Sequence, residues 1–375
     1  MLRKLLGTAA MALALSAMPA LADLKVGSIV ELSGPGAAAG TNFRDGVKMG
    51  FEEINAAGGV LGEQVQVLEY DSQTDPQVSR AMVQKAIDDG IYIIAGTVFS
   101  SSTVVNMLVA QQAGIPQLTG SEAPSITNMG NPYIFRTAFG SQKGIPKMSK
   151  YMAEEMGVKK VAVVWANTEF GKGGHSAFLE EVKNYGFEIV VDLPTEQAQT
   201  DFSADVLRLK NSGADAGFIY LTEEESARFL REARKQSVDM PLVGETTLIG
   251  HKVIELAGDA ANGAMGHVGL TPDANIPEMT EMVDRFKEKF SYTPDHNAIK
   301  GYTAAWVIKH VTELVGSPDS EAIAEKMHGL TLTAADHPGI LMDVSWDETG
   351  EMARESFFVE VENGKQVVKA ILPPN

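Results

Sequence analysis

From Leu24 almost to the end of the chain, short continuous apolar runs alternate with amphipathic stretches, and this alternation restricts the fold more than any other feature. The apolar runs are Leu24–Glu31, Gln64–Tyr70, Ile91–Ala95, Pro116–Thr119, Lys160–Trp165, Phe187–Asp192, Ala214–Leu221, Pro241–Gly244 and Gly266–Leu270. Between them, helical periodicity covers residues 41–56, 76–89, 102–113, 143–156, 171–185, 203–212, 223–236, 276–290, 298–315 and 319–328. A strand apolar on both faces needs a helix on each side, and parallel strands need crossover helices to join them. The pattern therefore predicts an α/β protein with parallel sheets. A strand-rich tail follows at Gly339–Ser345, Ser356–Val361 and Gln366–Ile371.

Residues 1–22 read as a cleaved export signal: Arg3 and Lys4, an apolar stretch from Leu5 to Ala17, and the small-x-small site Ala20-Leu21-Ala22. The apolar stretch is too short to span a bilayer, so the expected destination is the periplasm. The sequence has no cysteine, which excludes a disulfide framework and a lipid anchor. Its net charge is −18, or −20 once Arg3 and Lys4 are gone, and such a surface repels nucleic acid and anionic lipid. Roughly 350 mature residues favour two lobes over one. One α/β block ends near YIFRT (Tyr133–Thr137) and a second opens with its own strand at Lys160. Three crossings between them are expected, near Ala138–Ser141, Gly266–Gly269 and Ser345–Glu348. The cleft of two such lobes lies at the C-terminal edges of the strands, where open α/β sheets take their ligands.

The residues at those edges are the candidate site. Gly34-Pro35-Gly36-Ala37-Ala38-Ala39-Gly40 imitates a dinucleotide loop, with Asp71 ending the second strand. Pro35 inside the turn, a helix expected to begin only near Thr41, and export all point instead to a loop beside a cleft. Phe99 and a run of hydroxyls from Ser100 to Thr103 open a helix, a place where N–H groups and a hydroxyl can hold a carboxylate. Gly120-Ser121-Glu122, Glu223 and Glu245-Thr246 each follow a strand, and the three acids together could ring a cleft and select a cationic group. Catalytic signatures are missing: no G-x-S-x-G elbow, no phosphate loop, and no H-E-x-x-H among seven scattered histidines. The reading is a binder without cofactor or metal rather than an enzyme. An exported nucleotide-dependent oxidoreductase using the glycine loop is the alternative from another class.

The strings LSGPGAAAG, INAAGGVLG, EYDSQTDP, SSST, GIPQLTGSEAP, FRTAFGSQKG, NTEFGKG and DFSADVLRLKNSGAD, taken in register, resemble the Leu/Ile/Val-binding type of periplasmic solute-binding protein, which serves ATP-driven (ABC) importers. The resemblance implies two doubly wound, Rossmann-like lobes joined by a three-stranded hinge, the type I arrangement, closing on a ligand. It divides the chain into residues 23–139 plus 267–346 and residues 140–266 plus 347–375. It implies that Ser100 binds an amino acid's carboxylate and that Gly120, Ser121 and Glu122 serve the ligand's ammonium and carboxylate. Glu245 or Thr246 is implied as the ammonium partner. Phe170 falls where tyrosine is common, Glu223 where an aromatic is common, and Ala39 where an aromatic covers the ligand. The implied ligand is an amino acid or related amine, and the implied partner an inner-membrane ABC permease, with the chain a monomer. An aromatic or other organic acid is the alternative ligand, disfavoured because no arginine occupies a position implied to touch the ligand.

Overall fold

The computed structural model describes residues 24–374, so the expected leader lies outside the described residues. Two sheets organise the chain. The first holds β1 (Leu24–Val30), β2 (Val65–Asp71), β3 (Ile93–Gly96), β4 (Gln117–Thr119) and β5 (Ile134–Arg136), all parallel, in the order β2-β1-β3-β4-β5. Its crossovers run through α1 (Ala37–Ala56), α2 (Pro76–Asp88), α3 (Ser100–Gln112) and the single turn α4 (Ser125–Asn128). The central strands are apolar on both faces, as a covered parallel sheet requires: Ile93, Ile94 and Ala95 are fully buried.

After α5 (Ser141–Glu154) the second sheet begins, with β6 (Lys160–Ala166), β7 (Glu188–Thr195), β8 (Ala216–Tyr220), β9 (Leu242–Gly244) and β10 (Met265–Val268). Here the helices are α6 (Glu169–Tyr185), α7 (Ser203–Lys210), α8 (Glu223–Lys235), α9 (Thr246–Ile249) and α10 (His251–Ala257). The chain then returns to the first lobe, where α11 (Pro277–Phe290), α12 (His296–Val315) and α13 (Ser320–Met327) complete its core. A small antiparallel sheet of β11 (Thr331–Leu332), β12 (Val344–Trp346) and β13 (Met352–Ala353) packs there too. Finally β14 (Ser356–Glu362) and β15 (Lys365–Leu372) add antiparallel to β10, giving a second sheet in the order β15-β14-β10-β9-β8-β6-β7.

Three details correct the sequence reading. Helix α1 begins at Ala37, not near Thr41, because the alanine run is a strong helix former and Gly40 lets the first turn sit against the Glu31 carbonyl. The tail strand expected from Gly339 is confined to Val344–Trp346. The third crossing lies at Arg354–Glu355, not Ser345–Glu348. Trp346 pairs with Met352 across a hairpin, its indole Nε1 donates to the Arg136 carbonyl at 2.7 Å, and Met352 is buried in the first core. Residues 347–353 thus stay with the first lobe.

Helix α12 is placed by close contact with α1. A Cβ on Gly301 would meet the Phe43 carbonyl oxygen at 2.0 Å, and one on Gly46 would meet that of Ala298 at 1.9 Å. Only glycine on both helices permits this backbone approach. The result is that the N-terminal turn of α12, capped by Asp295 accepting from the Asn297 and Ala298 amides, points at the gap between the sheets.

Candidate functional site

The edges of both sheets meet at a cleft of about 460 Å³. From the first lobe come Val98 and Phe99 after β3, Ser100 and Ser101 opening α3, and Gly120 and Glu122 after β4. From the second come Thr168 and Phe170 at α6, Thr222 and Glu223 at α8, and Thr247. His296, Asn297 and Lys300 of α12 close the side. A further hollow lies on the outside of the second lobe around Pro146, Lys150 and Lys369, remote from the strand ends that meet at the cleft.

The first-lobe wall is rigid. The Ser100 hydroxyl accepts from the Ala123 amide at 3.2 Å and the Glu122 amide at 3.4 Å, which leaves its own proton free to be donated into the cleft. Behind it, the buried Glu31 carboxylate accepts from the Val98 and Phe99 amides at 3.2 and 3.1 Å; burial still pushes its pKa up to about 7. Arg136, fully buried, shapes the loop that carries Glu122. Its guanidinium donates to the Ser121 carbonyl at 2.5 Å and the Ala123 carbonyl at 2.7 Å, and pairs with Glu351 at 2.8 Å. Glu351 also accepts from the Gly140 amide at 3.1 Å, so the same ion pair holds the first crossing.

The glycine turn after β1 supports the wall from beneath. A Cβ on Gly36 would fall 2.6 Å from the Phe99 ring, and Asp71 accepts from the Leu32 and Ser33 amides at 2.9 and 3.2 Å. The acid that imitates a ribose ligand is therefore committed to the turn itself.

Of the sequence-derived site residues, Phe99, Ser100, Gly120, Glu122, Phe170 and Glu223 line this cleft, with Phe170 stacked on Tyr220 at 4.2 Å. Glu245 and Thr246 line an adjoining cavity of about 370 Å³, with Ala138, Phe139, Ser141, His267 and Arg354. Two expectations fail. Ala39 is buried within α1 and lines neither space, because the helix starts early and turns that face to the core. Ser121 points inward, its hydroxyl donating to the Val98 carbonyl at 2.8 Å and sharing a proton with Thr103 at 2.5 Å.

The acidic cleft expected from the three glutamates is also corrected, because each acid has a partner. Glu122 pairs with Lys300 at 2.7 Å, and Lys300 reaches the Gly120 carbonyl at 3.4 Å. Glu245 accepts from or shares a proton with His267 Nδ1 at 2.7 Å. Glu223 accepts from the Asn297 amide side chain at 3.0 Å, and its carboxyl is raised to about 8, first by burial and then by Glu224 and Asp295. Asp295 is raised to about 6 by burial, and His296 is pushed down by burial and by Lys300, so the imidazole is neutral. The arginine that the sequence reading lacked is Arg354, 4 % exposed in the adjoining cavity.

Sequence reasoning missed His296, Asn297, Lys300, His267 and Arg354. The Asp295 cap and the four-residue spacing of His296 and Lys300 are a legible sign that both share one helix face. Nothing local marks His267 or Arg354.

No group of three or more His, Asp or Glu side chains among the described residues is placed to hold a metal ion, and no described helix is long and apolar enough to cross a membrane. Residues 23–366 match the model of a family described as periplasmic binding protein. A Leu-, Ile-, Val-, Thr- and Ala-binding protein of Pseudomonas aeruginosa is 28 % identical over 354 residues, 94 % of this chain and 93 % of that protein. A branched-chain amino acid transporter substrate-binding protein from Streptococcus pneumoniae, solved with isoleucine, superposes with a TM-score of 0.85 at 22 % identity, covering 94 % of this chain and all of that one. A solute-binding protein of an ABC transporter from Rhodopseudomonas palustris, solved with 3,4-dihydroxybenzoic acid, also gives 0.85, at 23 % identity over 94 % of this chain and 97 % of that one.

Proposed function

The chain belongs to the periplasmic binding protein family, and from that membership we propose that it is the exported solute-binding component of an ABC importer. In this reading it captures a small carboxylate-bearing solute, an amino acid or related amine, as its lobes close, and presents it to an inner-membrane permease. The Pseudomonas aeruginosa relative is named for amino acids, and the chain matches it across both lobes, over 94 % of its length.

The observation that carries the reading is Ser100. It stands at the N-terminus of a 13-residue helix with its hydroxyl proton free and the helix dipole behind it, facing a cleft whose far wall carries Thr168, Thr222 and Thr247. A carboxylate there gains a charge-assisted hydrogen bond and the dipole. An ammonium on the same solute would go to Glu122 or Glu223. Ser100→Ala should weaken binding by roughly 10- to 150-fold, the loss of a hydrogen bond to a charged group, with the melting temperature of unliganded protein nearly unchanged. Affinity within twofold of wild type would reduce Ser100 to a helix cap.

A second reading, an organic acid without an amine, is favoured by the partnering of all three glutamates. Calorimetry separates the two. An ammonium docking on the neutral Glu223 forces it to ionise and release a proton near neutral pH, so the binding heat depends on the buffer's ionisation enthalpy. An acid that leaves Glu223 protonated shows no such dependence. A thermal-shift screen over amino acids, amines and aromatic acids supplies the compounds, since solute at 100 times its Kd adds ~2.7 kcal/mol.

A further inference from the structure

Arg354 stands at the third crossing, 4 % exposed, and its Nε has no hydrogen-bond partner among the described residues. None of the ion pairs among those residues includes it. The side chain lines both the hinge-side cavity and an outer hollow with Glu278 and Asp343, and a buried Nε–H without an acceptor is unfavourable. Phe139 of the first crossing lies beneath it at 5.5 Å, and Lys147 stands over the same ring at 4.9 Å. The hinge-side cavity it lines holds five further orphaned polar atoms: Ser141 Oγ, His267 Nε2, Glu245 Oε1 and both ring nitrogens of His296.

This cavity is not separate from the solute cleft. Glu122, His296 and Lys300 line both, so the Glu122–Lys300 pair is the partition between them. On the cleft side stands Ser100, and on the hinge side Arg354 stands with Glu245 and His267. Burial also raises the Glu245 carboxyl, against the opposing pull of His267.

We propose that the solute cleft continues past the Glu122–Lys300 partition into the hinge-side cavity, and that Arg354 there receives a second anionic group of the solute, a carboxylate. The solute class is then a small acid with two acidic groups, either a dicarboxylic acid or an amino acid with an acidic side chain. This rests on the reading that Ser100 holds the first carboxylate. A diacid spanning the partition joins Ser100 of the first lobe to a residue that contacts the crossings, so it would also draw the lobes together.

The test is calorimetry on the full mature chain, stripped of carried-over solute by unfolding and refolding. The probes are the α,ω-dicarboxylates from malonate to suberate, each against the monocarboxylate of equal carbon number, with glutamate against glutamine and norvaline. The expected result is at least one diacid or acidic amino acid binding about tenfold or more tightly than its singly charged match, the worth of one charge-assisted pair. Arg354→Gln should erase that preference, bringing each diacid to the affinity of its matching monoacid in the same variant, while Ser100→Ala should weaken both series. Equal binding of diacids and monoacids by the wild-type protein overturns the inference without any variant, and leaves the carboxylate reading of Ser100 standing. A preference that survives in folded Arg354→Gln overturns it too. If Arg354→Gln does not fold, Arg354→Lys, which keeps charge but loses the planar fork, should reduce the preference, and an undiminished preference there counts against the proposal. Binding of neither series removes the carboxylate reading and this inference with it.

Discussion

Replacing Glu223 by glutamine isolates one buried carboxyl and should change how the protein's stability depends on pH. Glu223 opens α8, is 5 % exposed, and has its pKa raised from 4.5 to about 8. Burial is the main cause, with repulsion from Glu224 and Asp295 behind it; the bond from Asn297 offsets only part. Between pH 4.5 and 8 the native state holds a proton that the unfolded chain has released. Stability therefore falls as pH rises through that window, and the contribution is fully present only below pH 4.5. Each pH unit between the unfolded and folded titration points is worth about 1.4 kcal/mol, so the window sets a ceiling of about 5 kcal/mol. Water entry and side-chain relaxation bring the expected value to ~2–4 kcal/mol. Glutamine has the same shape, still accepts from Asn297 at 3.0 Å through Oε1, and does not titrate. Urea unfolding at intervals from pH 5 to 9 should show the two proteins alike at the acid end and the Glu223→Gln variant more stable at the alkaline end. Raised acids that do not act on Glu223, such as Glu31 and Glu245, are common to both proteins and cancel in the difference. Parallel curves across the range would refute the burial argument for this residue.

Gly301→Ala places a methyl 2.0 Å from the Phe43 carbonyl oxygen, forcing α12 away from α1. The melting temperature should drop by the equivalent of ~1–3 kcal/mol, and solute affinity should fall with it because α12 carries His296, Asn297 and Lys300; a loss of stability with unchanged affinity would show that the helix does not position the cleft. Arg136→Met leaves the buried Glu351 carboxylate without its cation and frees the loop bearing Glu122, and should cost ~3–5 kcal/mol by urea unfolding at neutral pH. A cost under ~1 kcal/mol would mean that Thr127, Gln142 and the Gly140 amide satisfy Glu351 unaided. Closure about the stretch between β5 and α5 (137–140), the stretch between β10 and α11 (269–276, because 266–268 belong to β10) and the third crossing at 354–355 predicts compaction in small-angle scattering when solute is added; identical profiles at saturation would exclude a hinge.

Much of the site was legible before any coordinates. Ser100, Glu122 and Glu223 line the cleft because each follows a parallel strand, and all strands of a parallel sheet present their C-terminal ends at one edge. Strand period, turn glycines and the order of elements locate that edge with no knowledge of partners. The errors have the same origin in reverse. The three glutamates looked free because no cation sits within a few residues of any of them, and Ser121 looked available to a solute because its hydroxyl partners lie in the β3–α3 loop and on α3. Ala39 depended on a helix start that shifted by one turn.

Periodicity and caps are local, involving residues a few positions apart, so the sequence by itself determined the α/β class, the two-sheet layout and the strand ends that face the cleft. Which charges meet there was decided by the tertiary structure alone. Lys300 reaches Glu122 across 178 positions, Arg136 reaches Glu351 across 215, and Arg354 arrives at the hinge because a hairpin holds the chain on the first lobe as far as Ala353. An ion pair or an orphaned guanidinium is defined by distance and burial, and neither exists until segments far apart in the chain have packed.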